Sequence, residues 1–166
     1  MKSIIIYFSR AGYNYVNGEI KDLKVGNTEV VAKKIAELTN SDLFKIEQII
    51  EYSNDYSECI DEVKQDQIRN ARPELKKYPD NLEKYDLIYL GFPNYWGTMP
   101  MAVFTLLEKY DLTGKIIKPF CTHEGSGIER CKTDIKKLCP NSEVKEEILI
   151  HGAMYSEENL KDWISN

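Results

Sequence analysis

The sequence predicts an α/β protein, a three-layer sandwich in which a five-stranded parallel sheet of order 2-1-3-4-5 carries helices on both faces. Three observations carry this expectation. Apolar runs, residues 2–8 first among them, are rich in β-branched residues, the composition of strands covered on both faces. Strand and helix patterns alternate five times along the chain, and right-handed crossovers turn such alternation into an open parallel sheet. The segments that follow three of the strands hold glycines, hydroxyls and aromatic residues, and these are the strand ends that meet at the switch point of such a sheet, where ligands bind.

Residues 2–8 form the first strand. The next helix signal is Asn27-Thr28, after which Val31, Ile35 and Leu38 recur at i, i+4 and i+7 with lysines outside, and Asn40 and Ser41 close the helix. Residues 42–46 make a short second strand. A turn rich in Tyr, Asn and Asp leads into a helix over residues 56–70, with Ile60, Val63 and Ile68 roughly on one face. Arg72-Pro73 and Tyr78-Pro79 stop it, because proline biases the residue before it away from helix; an irregular passage then reaches the third strand, residues 87–91. Residues 102–110 form a helix that buries Val103, Phe104, Leu107 and Tyr110, and Gly114 turns the chain into a fourth strand over residues 115–121. Ile128, Cys131, Ile135, Leu138 and Cys139 give a helical stripe ended by Pro140 and Asn141. The fifth strand, residues 144–150, alternates poorly at its start, which suits an edge. Ser156 caps the last helix, docked by Leu160, Trp163 and Ile164.

A chain of 166 residues without repeat, linker or low-complexity tract is one domain, residues 1–166, long enough to bury roughly 70% of its unfolded surface. Hydrophobic and charged contents of 42% and 30% are those of a globular protein, and a net charge of −5 argues against nucleic acid. Cys59, Cys121, Cys131 and Cys139 show neither CxxC spacing nor pairing with the two histidines, so no zinc site or redox dithiol is expected and reduced thiols fit. The amino-terminal apolar run, residues 4–8, is too short for a signal-peptide core or a membrane span. A cytoplasmic monomer with no membrane partner is the expectation.

Three segments carry the candidate chemistry. Around the first strand-to-helix turn, SRAGYN at residues 9–14 and VGNTEV at residues 25–30 combine the hydroxyls of Ser9 and Thr28, the flexible backbone of Gly12 and Gly26, and free amides at a helix start. Such a set suits a phosphate dianion, and it is also what any turn and helix cap uses. Arg10 either pairs with that phosphate or points into solvent. In IYLGFPNYWGTMP, residues 88–100, Tyr95 and Trp96 either stack on an aromatic ring or plug the end of the core. Adjacent aromatics in an extended loop face opposite ways, so at least one is hard to bury, and this favours a ligand. In THEGSG, residues 122–127, the glycines let backbone groups meet a ring edge, or the segment is an ordinary turn with Ser126 as cap. His123 is either a proton donor or a solvated side chain, and His151 has no supporting context.

Taken together these motifs resemble the flavodoxins, most closely a short bacterial flavodoxin-like group with YFSRxGNT near the amino terminus, a GxPxWWGTxP-like loop and PFCTHxGSG after the fourth strand. Here the chain reads YFSRAG, then GNT displaced to residues 26–28, GFPNYWGTMP at residues 91–100, and PFCTHEGSG at residues 119–127. The resemblance covers nearly the whole chain and implies bound flavin mononucleotide (FMN). By that match, Ser9, Arg10, Ala11, Gly12, Asn14, Asn27 and Thr28 hold the phosphate. The ring lies between Pro93, Asn94, Tyr95, Trp96, Gly97 and Thr98 on one side and Thr122, His123, Glu124, Gly125 and Gly127 on the other. Trp96 is the stacking residue, and the backbone of residues 94–97 lies near the flavin N5, whose proton a peptide carbonyl can accept. The departure is an insertion of about a dozen residues, 13–25, containing Tyr13, Tyr15, Val16, Ile20 and Leu23. It is too apolar for a free tail and is expected to form a flap beside the flavin or a partner-docking surface.

The resemblance implies an electron carrier shuttling between cytosolic redox proteins, of the reductase or ferredoxin-dependent kind, with no catalytic acid, base or nucleophile. Acidic surroundings, Glu124 among them, push the hydroquinone couple to low potential. The alternative is an FMN-dependent NAD(P)H:quinone-type oxidoreductase with a pocket shaped by the insertion. A receiver domain is discounted because Ser9-Arg10 and Phe92-Pro93 stand where its acidic residues belong, and a cysteine phosphatase because Gly127 stands where its Arg would follow Cys121.

Overall fold

A computed structural model describes residues 1–126 and 130–166 of the chain. Its element order is β1 (Ser3–Phe8), β2 (Gly12–Val16), β3 (Glu19–Leu23), α1 (Asn27–Thr39), β4 (Asp42–Ile46), α2 (Tyr56–Ile68), a 3-10 turn (Leu82–Lys84), β5 (Leu87–Pro93), α3 (Met101–Lys109), β6 (Ile116–His123), α4 (Cys131–Leu138), β7 (Glu143–Val144), β8 (Ile148–His151) and α5 (Glu157–Ser165). The main sheet runs β4-β1-β5-β6, with β7 and β8 both on the outer edge of β6 and every pair parallel. This is the expected 2-1-3-4-5 order.

Strand alternation assigns the two covering layers. Ile4, Ile6 and Phe8 of β1 join Ile88, Leu90 and Phe92 of β5 in the core beneath α3 and α4, where Val103, Leu106, Leu107 and Ile135 meet them. Ile5 and Tyr7 face the other way, with Tyr89, Phe120 and Ile150, against Val31, Ala32 and Ile35 of α1 and Leu160 of α5. Gly91 has a packing role here. It sits in register between Tyr7 and Phe120, and a Cβ built on it would lie 2.0 Å from the Phe120 ring, which occupies the space a side chain would take.

Two corrections to the expected elements have physical causes. The fifth strand is broken into β7 and β8. Ile117 accepts a hydrogen bond from Lys145 N (2.9 Å), so Ile117 and, two residues on, Pro119 turn their backbone toward this edge, where Pro119 has no N–H to give. Ile117 pairs with Val144 and Phe120 with Ile148, so the outer strand holds one extra residue there, a β-bulge. The second correction is the insertion, which is a regular antiparallel hairpin, β2 with β3, pairing Gly12 with Leu23 through to Val16 with Glu19. Its turn is Asn17-Gly18, both at positive φ (49° and 84°), the type I′ geometry that matches strand twist. Ile128, expected in the stripe of α4, lies outside the described residues.

Candidate functional site

The carboxyl ends of β1, β5 and β6 converge as the topology requires. Gly26 sets the floor: a Cβ there would lie 2.2 Å from Ser9 Oγ and 2.6 Å from Arg10 O, so only glycine lets the segment before α1 press against the end of β1. Gly26 supplies no side-chain cap to α1. Ser9 Oγ accepts from Glu29 N (3.1 Å) and Gly26 O from Val30 N (3.2 Å), which leaves the amides of Asn27 and Thr28 without an acceptor among the described residues. Two free amides at the positive end of a 13-residue helix make an anion-binding floor. Thr28 Oγ1 is itself bonded to Thr122 Oγ1 at 2.7 Å, so the first and third segments are locked together in the interior.

Above this floor lie two joined clefts. The narrower, of ≈ 210 Å³, is lined by Ser9, Arg10, Asn14, Asn27 and Thr28 of the first segment, Pro93, Asn94 and Tyr95 of the second, and Thr122, His123 and Glu124 of the third. The wider, of ≈ 480 Å³, shares Arg10, Asn14, Asn94 and Tyr95 and adds Trp96 and Gly97. Thirteen of the eighteen expected residues therefore line one continuous depression. Ala11 and Gly12 line a neighbouring cavity of ≈ 330 Å³ instead. Thr98 is buried and donates to Asp134 Oδ2 of α4 (2.5 Å), which anchors the aromatic loop from below. Gly125 N donates to His123 Nδ1 (2.9 Å), and Gly127 lies outside the described residues.

The aromatic loop is a miniature hairpin. Tyr95 and Thr98 bond each other through both backbone pairs (2.8 and 3.3 Å), and Trp96 and Gly97 occupy the turn at φ 52° and 86°. A bulky residue at positive φ is uncommon and strained. Asn94 Oδ1 accepts from Gly97 N (3.0 Å), which helps to hold the turn. As alternation requires, the two aromatics part company. Tyr95 packs inward, edge-on to Phe8 (5.9 Å) and Tyr52 (6.5 Å), and burial pushes its phenol well above the ordinary range. Trp96 stays 52% exposed on the wall of the wider cleft, donating Nε1 to Ile60 O (3.2 Å) under Lys64 Nζ, which stands 4.8 Å from its ring.

Arg10 neither reaches into solvent nor waits unpartnered. Nη2 donates to Ser53 O (2.7 Å) and Asn54 O (3.1 Å), and Nη1 to Tyr13 O and to Asn14 Oδ1 (3.2 Å). It is a strut tying the hairpin to the loop after β4. It makes no ion pair with a carboxylate among the described residues, so its charge acts on both clefts that it lines.

Residues of the hairpin and of α2 complete the walls, and motif spacing did not mark them. Tyr15 and Leu23 line the narrow cleft, Tyr56 both clefts, and Cys59, Ile60 and Val63 the wide one. Tyr15 stacks on Tyr56 at 6.3 Å with 26° between the rings. Their signals existed: Asn17-Gly18 between alternating strands announces a hairpin, and Cys59, Ile60 and Val63 follow the helical period. At the third segment His123 stacks on His151 at 5.6 Å, and burial, then the neighbouring His151, lowers its pKa while Glu124 opposes. With Nδ1 accepting from Gly125, the neutral ring carries its proton on Nε2.

A family model described as Flavodoxin matches residues 22–166. A search of curated proteins finds no match. Among solved structures, a protein assigned as a flavoprotein from Bacteroides eggerthii is 26% identical at a TM-score of 0.81, covering 99% of this chain and 96% of its own. A protein so assigned from Bacteroides uniformis is 26% identical at a TM-score of 0.77, covering 99% and 98%. A flavoprotein in complex with FMN from Lactobacillus acidophilus shares the fold at 20% identity and a TM-score of 0.70, covering 98% of each chain.

Proposed function

We propose, from the premise that this chain belongs to the flavodoxin family, that it binds FMN and carries electrons between redox proteins. The observation that carries the reading is the junction of an anion floor with an aromatic cleft at the switch point of the sheet. The free amides of Asn27 and Thr28, beside Ser9 and Arg10, fit the phosphate, and the wider cleft bounded by Tyr95 and Trp96 fits the ring system. The Lactobacillus protein of the same fold, which is in complex with FMN, supports the choice of flavin. FMN supplies the one- and two-electron chemistry when bound, and the protein binds, orients and tunes it.

The tuning groups are opposed. Glu124 lines the narrow cleft and disfavours negative charge on a reduced ligand, whereas Arg10, lining both clefts, favours it. A second reading, an FMN-dependent NAD(P)H:quinone-type reductase, draws on one observation: the hairpin leans over the cleft through the Tyr15–Tyr56 stack and gives the site a side wall. The experiment is purification followed by stepwise reduction under anaerobic visible spectroscopy. A yellow protein that takes up one equivalent of FMN, accepts electrons from a ferredoxin-type reductase and does not turn over NADH or NADPH with a quinone is the expected result. Turnover with quinone would transfer the assignment to the reductase, and a protein that takes up no FMN would overturn both.

A further inference from the structure

The hairpin of β2 and β3 uses one of its two edges and leaves the other bare. Its two-residue turn makes Val16 and Glu19 a hydrogen-bonded pair, and bonded pairs alternate with unbonded ones along an antiparallel ladder. Tyr13, Tyr15, Ile20 and Asp22 therefore point their backbone N–H and C=O away from the neighbouring strand. On the β2 side, Tyr13 O is taken by Arg10 Nη1. On the β3 side, the backbone groups of Ile20 and Asp22 have no partner among the described residues, and the Ile20 side chain is exposed. A bare strand edge is a template for another strand, and a two-stranded ribbon gains from having one.

We infer that a second copy of this chain covers that edge: two β3 strands pair antiparallel about a twofold axis at Ile20, making a four-stranded sheet that joins two molecules. A twofold axis between antiparallel strands sets one residue against its own copy, so choosing the register means choosing that residue. Glu19, Lys21 or Asp22 on the axis would oppose like charges, which destabilise a directly facing pair. Leu23 on the axis would carry Ile20 of the second copy onto Gly26, which is buried against Ser9 and Arg10. At Ile20 every pairing agrees. Two isoleucines meet, Glu19 faces Lys21 of the second copy and Lys21 faces its Glu19, and Asp22 faces a glycine, Gly18, so that it meets no like charge. Within one molecule Glu19 and Lys21 hold each other only loosely, at 4.0 Å with side chains 74% and 49% exposed, so both charges are available to the second copy. Ile20 also lies across from Tyr15, and one apolar row, Tyr15 and Ile20 from each molecule, crosses the joined sheet. The contact is small for a specific interface, so association is weak and concentration-dependent. The inference departs from the expected monomer and stands independently of the flavin reading.

The test is sedimentation equilibrium of the full chain over a wide range of protein concentration, for wild type and three charge variants. Glu19→Lys sets lysine against lysine twice, and Lys21→Glu sets glutamate against glutamate twice. Each is expected to weaken dimerisation roughly tenfold, whereas the double variant Glu19→Lys/Lys21→Glu, with the opposite charges restored in reversed order, is expected to lie within about threefold of wild type. Circular-dichroism melts establish that the variants are folded. Amide exchange gives an independent readout: the amides of Ile20 and Asp22 are expected to slow as concentration rises, while that of Lys21, bonded within the hairpin, is expected to stay unchanged. A wild type that remains monomeric throughout would overturn the inference. A dimer that neither single variant weakens, or that the double variant does not restore, would overturn it equally.

Discussion

Thr28 and Thr122, ninety-four positions apart, share a buried hydrogen bond of 2.7 Å between their hydroxyls. The bond joins the start of α1 to the end of β6 directly under the narrow cleft, so it serves the fold and the site together. Thr28→Val or Thr122→Val keeps the shape but leaves a buried hydroxyl unpaired, and each is expected to cost about 1–3 kcal/mol in urea unfolding of the apoprotein. The double variant is expected to lose less than the sum, because no orphan remains.

Gly26→Ala is expected to abolish ligand binding before it abolishes folding. The new Cβ falls 2.2 Å from Ser9 Oγ and 2.6 Å from Arg10 O, a backbone atom that cannot swing aside. The segment before α1 has to back away from the end of β1, separating the two halves of the anion floor. Isothermal titration with FMN, alongside a circular-dichroism melt, checks both parts.

Arg10→Gln removes the strut and an uncompensated positive charge at once. A reduced, anionic ligand in these clefts loses a favourable neighbour, so the midpoint potential is expected to fall, by a shift on the order of 30–60 mV if the charge is worth up to tenfold in relative affinity for a one-electron couple. Glu124→Gln is expected to move the potential upward. Spectroelectrochemical titration gives both signs.

Acid is expected to weaken the fold through His123. Its pKa in the folded protein is lowered by burial, then by His151, from an ordinary value of about 6.5. The unfolded chain therefore binds a proton more readily, so this contribution is fully present above about 6.5 and is lost as pH falls through the lower folded value. Denaturation midpoints measured across that window should be flatter in His123→Phe.

The cysteines are expected to resist alkylation. All four are buried and free. Burial raises the Cys59 thiol despite Arg10 nearby, a hydrogen bond to Cys131 and then burial raise Cys121, and burial carries Cys139 up to about 11. Iodoacetamide at pH 8 should leave the folded protein unlabelled and modify four sites after unfolding. Rapid labelling of the native state would contradict this.

Periodicity located nearly every element of the main sheet and its helices, because each strand buried on both faces must be apolar throughout and each helix must show one stripe. Residues 42–46, for instance, form the second strand with the bounds expected from the pattern. The break between β7 and β8 was less legible, since it follows from Pro119 on the neighbouring strand and not from the sequence of the edge itself. Within the site, motif residues converged because they lie at strand ends. The cleft positions of Tyr56, Cys59 and Val63 were not legible, because an apolar helical stripe reads the same whether it faces core or cleft. The role of Arg10 depended on carbonyls of Ser53 and Asn54, whose proximity only the fold creates.

The hairpin has one more consequence. Because Gly12 pairs with Leu23, its two ends leave the body of the protein side by side. A long excursion whose ends are already stapled imposes little more closure entropy on the segments that flank it than a tight connection would. Ser9, Arg10 and Gly26–Thr28 can therefore hold the geometry of an uninterrupted loop although the chain wanders between them. The insertion is modular in that sense: excising residues 12–23 and joining Ala11 to Lys24 should leave the Ser9 and Gly26–Thr28 floor in a shorter protein, at the loss of the side wall of the cleft and of the Tyr13 and Asn14 partners of Arg10.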